Sequence, residues 1–394
     1  MSSSKNPKIF VVKTKPETVL QDYARLMDMA GYQDRYSRDM KTIIKLNLSW
    51  SKFFPACSSP PWQLEGILNK MINDGFNPKR IFTAENRTVV TNIAKGLRGN
   101  KWGPIIDEYG VWFVPLTRVN FVSYESLRPK FIKFKNKELH VLDSKIFPEG
   151  FKIPKFYLGK PIIHLPTMKT HGHTGAKGGS LKHTKEEDLK SGGITCCMKN
   201  AFGGLLTKRR HFSHQFMSEV LVDLLIIQKQ IHPEIMGIVD GTVCGDGAGP
   251  RTMIPRIKNY LLAGYDQVAV DAVVAKMLGF EPLKLPAIKL AHDEGLGCGD
   301  FDQIEIIGED VSNVNWNFTV KRSLVIWGDQ MVRKGPLSFL HPLFHNRLFM
   351  TVPILGSLVF HDMLWYPTIG KQRIKKFMTT KWGKLFQEYP ADSD

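Results

Sequence analysis

The chain alternates short β-branched runs with longer stretches of helical spacing. Lys8–Lys13 (KIFVVK) reads as a strand, and Pro16–Gly31 places Leu20, Tyr23, Leu26 and Met27 on one helical face. The alternation continues with a strand at Thr42–Leu48, a helix from Pro61 to Gly75, a strand at Arg80–Ala84, two helical pieces and a strand at Val111–Leu116. Lys130–Lys135 and Glu138–Leu142, on either side of Asn136–Lys137, predict a hairpin. Strands follow at Pro161–Leu165 and Ile235–Asp240, with helices at Thr195–Leu206 and His214–Ile231. Tyr260–Gly264 leads into a helix from Asp266 to Leu278, then a helix at Ala287–Asp293 and a last strand at Gln303–Ile307. Strands separated by helices imply crossover connections, hence an α/β fold with a mostly parallel sheet covered on both faces.

Beyond about residue 311 the alternation fades. The expected organisation is an α/β domain over 1–310, divisible into lobes 1–150 and 151–310, and an irregular C-terminal appendage over 311–394. Within the appendage, the apolar run Leu348–Phe360 is interrupted by Pro353 and Gly356 and closed by His361 and Asp362. It therefore falls short of the roughly 18 apolar residues that a spanning helix needs. At the other end, Ile9–Val12 is too short for the apolar core of a signal peptide. The expected location is cytoplasmic, with membrane association as the alternative.

Composition narrows the class. With 43% hydrophobic residues in 394, the chain has material for a large core, which excludes disorder and a coiled coil. Five cysteines without a CxxC pair exclude a disulfide framework and a zinc ribbon, and no iron–sulfur cluster is expected. The net charge of +17 is unevenly spread: residues 150–215 hold 12 basic and 3 acidic side chains, whereas 216–310 hold 7 and 15. A basic block that runs into an acidic one points to an anionic ligand or a partner held between unlike segments, more than to a nucleic-acid coat.

Three stretches carry candidate chemistry. The densest runs from His164 to Gly204 and begins at a strand's carboxyl end, where open α/β sheets bind ligands. Lys169, Thr170, His171 and His173 sit over that edge, and Lys199 and Asn200 lie about one turn into the next helix. Between them, Gly175–Gly193 carries Lys177, Lys182, His183, Lys185 and Lys190, either as a cationic cradle or as a solvated surface loop. The second stretch, IIKLNLSW (Ile43 to Trp50), puts Lys45 inside an apolar strand with Asn47 two residues on. A buried lysine needs a partner, and Glu85 at the next strand's end would supply one; the alternative is an edge strand with Lys45 in water. The third, DGTVCGDGAGP (Asp240–Pro250), follows a strand. Its glycines Gly245, Gly247 and Gly249 would let backbone N–H groups approach an anion, or would simply make a turn. Asp266 is placed to cap its helix, and Asp271 within that helix needs a partner if buried. Cys196 and Cys197 point about 100° apart on a helix and read as core packing.

In order, IIKLNLSW, IFTAEN around Glu85, IIHLPTMKTH ending at His171, MKNAFGG with Lys199 and Asn200, IVDGTVCGDGAGP, and LLAGYDQVAVDAVVAKMLGF resemble the domain-of-unknown-function family 362. The resemblance spans about residues 8–310 and implies a domain without naming a reaction. Some members of that family are joined to iron–sulfur modules, whose cysteines this chain lacks. Its Gly175–Gly193 insertion also departs from the usual pattern, in which the lysine–threonine–histidine motif runs almost directly into the helix.

The expectation is an enzyme acting on a small anionic metabolite or cofactor precursor that bears phosphate or carboxylate. Lys45, Lys169 and Lys199 would neutralise the anion's charge. Asn47, Asn200, Gly245, Gly247 and Gly249 would orient it. His171 would act as general acid/base, with Glu85 or Asp240 setting its tautomer. Two alternatives stand beside it. One is a divalent-metal protein using His171, His173 and Asp240. The other is a peripheral binding module. Residues 335–386 interleave Phe339, Phe344, Phe349, Phe360, Trp365, Tyr366, Phe377, Trp382 and Phe386 with Arg347, Lys371, Arg373, Lys375, Lys376, Lys381 and Lys384. That mixture suits an anionic membrane surface, less readily single-stranded nucleic acid, or simple packing onto the main domain.

Overall fold

The computed structural model describes residues 6–88, 90–172, 174, 193–206, 210–333 and 335–391. His173 and the lysines between 175 and 192 therefore lie outside the described residues.

The strands are β1 (Lys8–Lys13), β2 (Thr42–Lys45), β3 (Ile81–Glu85), β4 (Trp112–Pro115), β5 (Phe121–Ser123), β6 (Lys152–Pro154), β7 (Ile162–His164), β8 (Thr167–Thr170), β9 (Ile194–Thr195), β10 (Ile235–Ala248), β11 (Thr252–Gly264) and β12 (Glu305–Gly308). Ten of them build one mixed, mostly parallel sheet. Its main path runs β12-β1-β11-β10-β7-β2-β3-β4, with β8 beside β10 and β9 beside β8. The run β10-β7-β2-β3-β4 is parallel throughout, and β11 is antiparallel to both of its neighbours. Strands from before and after residue 150 thus interleave in a single sheet.

Strand alternation sorts side chains to the two faces. Ile9, Val11, Ile43 and Ile162 join one core with the helices Cys197–Leu205, Met217–Ile231 and Gln267–Leu278. Phe10, Val12, Ile44 and Ile163 join the other, with the helices Val19–Met29 and Pro61–Asn73. Asp266 caps its helix by accepting from the N–H groups of Val268 and Ala269, as its position predicts.

Three sequence expectations are corrected. The segment 130–142 forms no hairpin: Asp223 accepts hydrogen bonds from the N–H groups of His140, Val141 and Leu142, so a carboxylate replaces the missing strand partner. The two-stranded pairing instead joins β5 to β6.

The stretch Asp240–Pro250 is not a free glycine loop. It continues β10, paired with β11 through Ala248. Gly245 and Gly249 are therefore not the anion-orienting glycines expected from the sequence. A Cβ on Gly245 would meet Met253 Sδ and, at 2.9 Å, Lys169 Cβ, and one on Gly249 would strike the Thr170 carbonyl oxygen. Gly245 lies within the β10–β11 ladder opposite Pro255, and the Gly249 N–H donates to the Gly247 carbonyl at 3.0 Å. The absence of a side chain at Gly245 and Gly249 lets neighbouring strands approach, and leaves neither as part of a cradle for an anion. Gly247 instead supplies a left-handed backbone conformation, φ 99°.

The appendage is helical. Leu348–Met378 forms one continuous helix, passing through wider π-type turns at Val359–Gly370 that accommodate Pro367. By length and composition it is apolar enough to cross a membrane, which replaces the shorter run expected from the sequence. Its last part and the helix Lys381–Glu388 complete the second core through Trp365, Phe377, Trp382 and Phe386.

Candidate functional site

The parallel strands deliver their last residues to one carboxyl edge, and there the polar residues meet. Lys45 ends β2 and Glu85 ends β3, with Lys45 in register with Ala84. Their side chains form a buried ion pair, Nζ to Oε1 2.8 Å. Lys45 Nζ also donates to the Leu46 carbonyl at 2.6 Å. Glu85 accepts from the N–H groups of Leu48 and Asn86, at 2.9 and 2.8 Å, so both carboxylate oxygens are engaged. The chain therefore turns away after Lys45 instead of extending the strand to Leu48.

Lys169, on β8, is equally buried, at 1% exposure. Its ammonium donates to Asn47 Oδ1 at 2.8 Å, to the Cys57 carbonyl at 2.9 Å and to Thr167 Oγ1. Three neutral acceptors satisfy its three protons but not its charge. Among the described residues no carboxylate forms an ion pair with it, and Asp240 acts on it only through space. Burial accordingly lowers its pKa from the ordinary 10.5 to about 8.

Asparagines join the two lysines. Asn47 Nδ2 donates to Asn200 Oδ1 at 3.2 Å, and Asn200 Nδ2 donates to the Lys45 carbonyl at 3.1 Å. Asn200 Nδ2 also lies 3.3 Å from His164 Nδ1, whose Nε2 is 2.6 Å from Gln228 Oε1. An acceptor at Gln228 and a donor at Asn200 assign the His164 proton to Nε2. Burial, with Lys45 nearby, pulls the pKa of His164 down to about 3, so the ring is neutral.

The helix Cys197–Leu205 approaches this network through glycines. A Cβ on Gly204 would lie 2.7 Å from the Tyr157 hydroxyl and 3.1 Å from Lys45 Cε. One on Gly203 would lie 3.6 Å from Glu85 Oε1 and 3.8 Å from Lys45 Nζ. Gly203 and Asn47 are only half-buried, so the network reaches the surface beside them. The N-terminus of this helix is closed by the protein itself: Asp271 accepts from the N–H groups of Cys197 and Met198, at 2.7 and 3.2 Å. Thr195, expected to open or cap the helix, instead pairs with Lys169 in the β9–β8 ladder.

The structure thus brings together Lys45, Asn47, Glu85, Lys169 and Asn200. Gly245 enters only as the backbone on which Lys169 packs, and Gly249 only as the close neighbour of Thr170. Lys199 lies on the same helix as Asn200, half-buried, with its ammonium 5.2 Å from the Phe202 ring centroid. His171 is buried just beyond β8, and its N–H donates to the Gly193 carbonyl at 2.8 Å. The partner carboxylates expected for it are committed elsewhere. Glu85 serves Lys45, while Asp240 accepts from Tyr23 and Trp62 on Oδ2 and from the hydroxyl and N–H of Thr242 on Oδ1. Four donors occupy the Asp240 lone pairs, so the carboxylate neither orients His171 nor offers a metal an oxygen in this arrangement. Another group with metal-ligand atoms, Cys196, Cys197 and Asp271, brings them within 4.8 Å of one another. Burial raises the pKa of both thiols, and Asp271 is engaged as the helix cap, so these residues pack and cap.

Sequence reasoning missed His164, Gln228 and Thr167 as members of the network. The only signal for His164 was a histidine at the last position of a buried strand, and Gln228 looked like one more residue of an apolar helix.

A search of curated proteins finds no match to the chain. A family model described as "Domain of unknown function (DUF362)" matches residues 189–276, which hold Lys199, Asn200, Asp240, Asp266 and Asp271 and exclude Lys45, Glu85 and Lys169. Over residues 189–276 the similarity to this domain of unknown function agrees with the resemblance read from the order of motifs.

Proposed function

We propose that this chain is an enzyme acting on a small metabolite that bears phosphate or carboxylate, bound at the carboxyl edge beside Asn47 and Gly203. The observation that carries the reading is Lys169: a buried ammonium whose hydrogen bonds are met by neutral groups, with no carboxylate paired to it among the described residues. Burying such a charge costs free energy, and an anionic ligand would recover that cost. Lys45 has its counter-ion in Glu85 and serves to hold Asn200 in place through its carbonyl.

In this reading Asn47 is the positioning residue, since it links Lys169 to Asn200. The neutral His164 fixes Asn200 from behind. With its pKa brought to about 8, Lys169 exchanges a proton within the physiological range, which suits a general acid or base. His171 lies two residues further along the same chain segment and is the second candidate for proton transfer.

The test is chemical identification of small molecules released from the purified full chain, alongside a Lys169→Met variant checked for folding by its melting transition. A phosphate- or carboxylate-bearing molecule should accompany the wild type and be lost from the folded variant. An anion retained equally by both, or no response of the wild type to a saturating panel of anionic metabolites, contradicts the reading.

A further inference from the structure

The C-terminal helix leaves a second surface unexplained by the site. Along Leu348–Met378, the face formed by Met350, Ser357, His361 and Trp365 is buried against the body of the protein. The opposite face presents Leu348, Val352, Leu355, Val359 and Met363, spaced four, three, four and four residues apart. Leu348 is 83% exposed, and Val352 and Met363 are each 68% exposed. The most apolar 18-residue window of this helix has a mean hydropathy of 1.5, and only 22% of it is buried. The preceding helical segments add Leu324, Trp327 and Phe339 to the exposed apolar surface.

Charge is arranged to match. Between 348 and 370 the only Asp, Glu, Lys or Arg is Asp362, whose carboxylate accepts from Trp50 Nε1 at 2.7 Å. From 371 to 384 there are six basic residues and no acidic one. Lys371, Lys375, Lys376 and Lys384 of this stretch are exposed. An apolar helical face followed at once by a cluster of lysines fits the acyl–headgroup boundary of an anionic bilayer.

We propose that Leu348–Ile369 docks the protein onto an anionic lipid membrane as a one-leaflet anchor, with Lys371, Lys375, Lys376 and Lys384 at the headgroups. The helix lies in the interface and does not cross it, because its second half and the helix Lys381–Glu388 after it are clamped to the domain: Tyr366 donates its hydroxyl to the Phe53 carbonyl at 3.1 Å. Trp382 packs on Trp62 with centroids 5.0 Å apart, Phe386 stacks on Phe53 at 3.8 Å, and Arg373 donates to the Met253 carbonyl at 2.6 Å. A helix held in this way keeps one face on the protein and has one face to give to lipid.

The test is co-sedimentation of the full chain with phosphatidylcholine vesicles and with phosphatidylcholine–phosphatidylserine vesicles. Two variants accompany it: Leu348→Glu/Val352→Glu/Leu355→Glu, and Lys371→Glu/Lys375→Glu/Lys376→Glu. All six positions are exposed, so both variants should fold, and their melting transitions check this. The wild type should bind the anionic vesicles, and the apolar-face variant should lose at least about tenfold in partitioning. The lysine variant should lose binding to anionic vesicles only, and added salt should mimic that loss. Absence of wild-type binding to either vesicle, undiminished binding by the apolar-face variant, or a stable dimer that covers this face would overturn the proposal. Bound protein that resists alkaline carbonate and shields both helix ends from protease would replace docking with a span, and would equally overturn it.

Discussion

The carboxyl edge of the sheet and the outer face of the C-terminal helix break opposite rules. The first hides charge: Lys45, Glu85 and Lys169 are almost fully buried. The second exposes oil, with Leu348, Val352 and Leu355 in the open. Both arrangements are unfavourable for an isolated soluble domain, yet they differ in how far the protein itself compensates. At the sheet edge most polar atoms have a partner inside the chain, and among the described residues Lys169 is a buried charge with no ion-pair partner. On the helix no side chain of the described residues covers the exposed row. On the proposed reading, the first region is a small, specific deficit of charge that a small anion would meet. The second is a broad, unspecific deficit suited to a lipid surface.

The largest expected effect lies in the compensated part of the sheet edge. Glu85→Ala removes the carboxylate paired with the buried Lys45 ammonium, and should lower unfolding free energy by about 3–5 kcal/mol in denaturant titrations. Within the C-terminal helices the same measurement should separate two faces. Trp382→Ala removes a buried ring and should cost about 3–5 kcal/mol, whereas Val352→Ser should stay within about 0.5 kcal/mol. Equal costs would mean that the outer face is covered.

Asp271 offers a pH test. Burial raises its pKa to about 7 from the ordinary 3.8. The folded state then binds a proton more tightly than the unfolded one, so this contribution to stability is full below about pH 4 and is lost as pH rises to about 7. The change should be on the order of 3–4 kcal/mol. Asp271→Asn should flatten that part of the stability profile. A small effect is expected at Gly203. A methyl group fits there at ordinary contact distance, so Gly203→Ala should raise stability by about 0.5–1 kcal/mol while reducing retention of an anionic ligand.

Much of the sheet was legible because parallel strands buried on both faces read as plain β-branched runs, as β2 and β7 do. The meeting of Lys45, Asn47, Glu85, Lys169 and Asn200 was legible for a related reason, since each stands at or just past a strand's carboxyl end or on the helix that follows. What could not be read were long-range substitutes for local structure. Asp223 satisfies the backbone of 140–142 from 81 to 83 residues away. Gly245 and Gly249 answer to Met253, Lys169 and Thr170, which no local pattern reveals, so a stretch that looked like an anion-binding loop is a strand and its turn. Pro353 reads as an interruption of the apolar run, yet the helix continues through it, and wider turns further on surround Pro367.

Everything proposed for the sheet edge turns on Lys169 carrying a charge that awaits an anion, and its own titration decides the matter. Lysine-selective carbon and nitrogen NMR on the full chain, with Lys169→Met to assign the signal, would follow the ammonium through about pH 6–11 with and without inorganic phosphate or citrate. With no anion present it should titrate near 8, and stability should rise as pH climbs from about 8 to 10.5, since the unfolded chain holds that proton longer. Bound anion should move the titration upward. A Lys169 that titrates at the ordinary 10.5 and ignores both anions would refute the anion site.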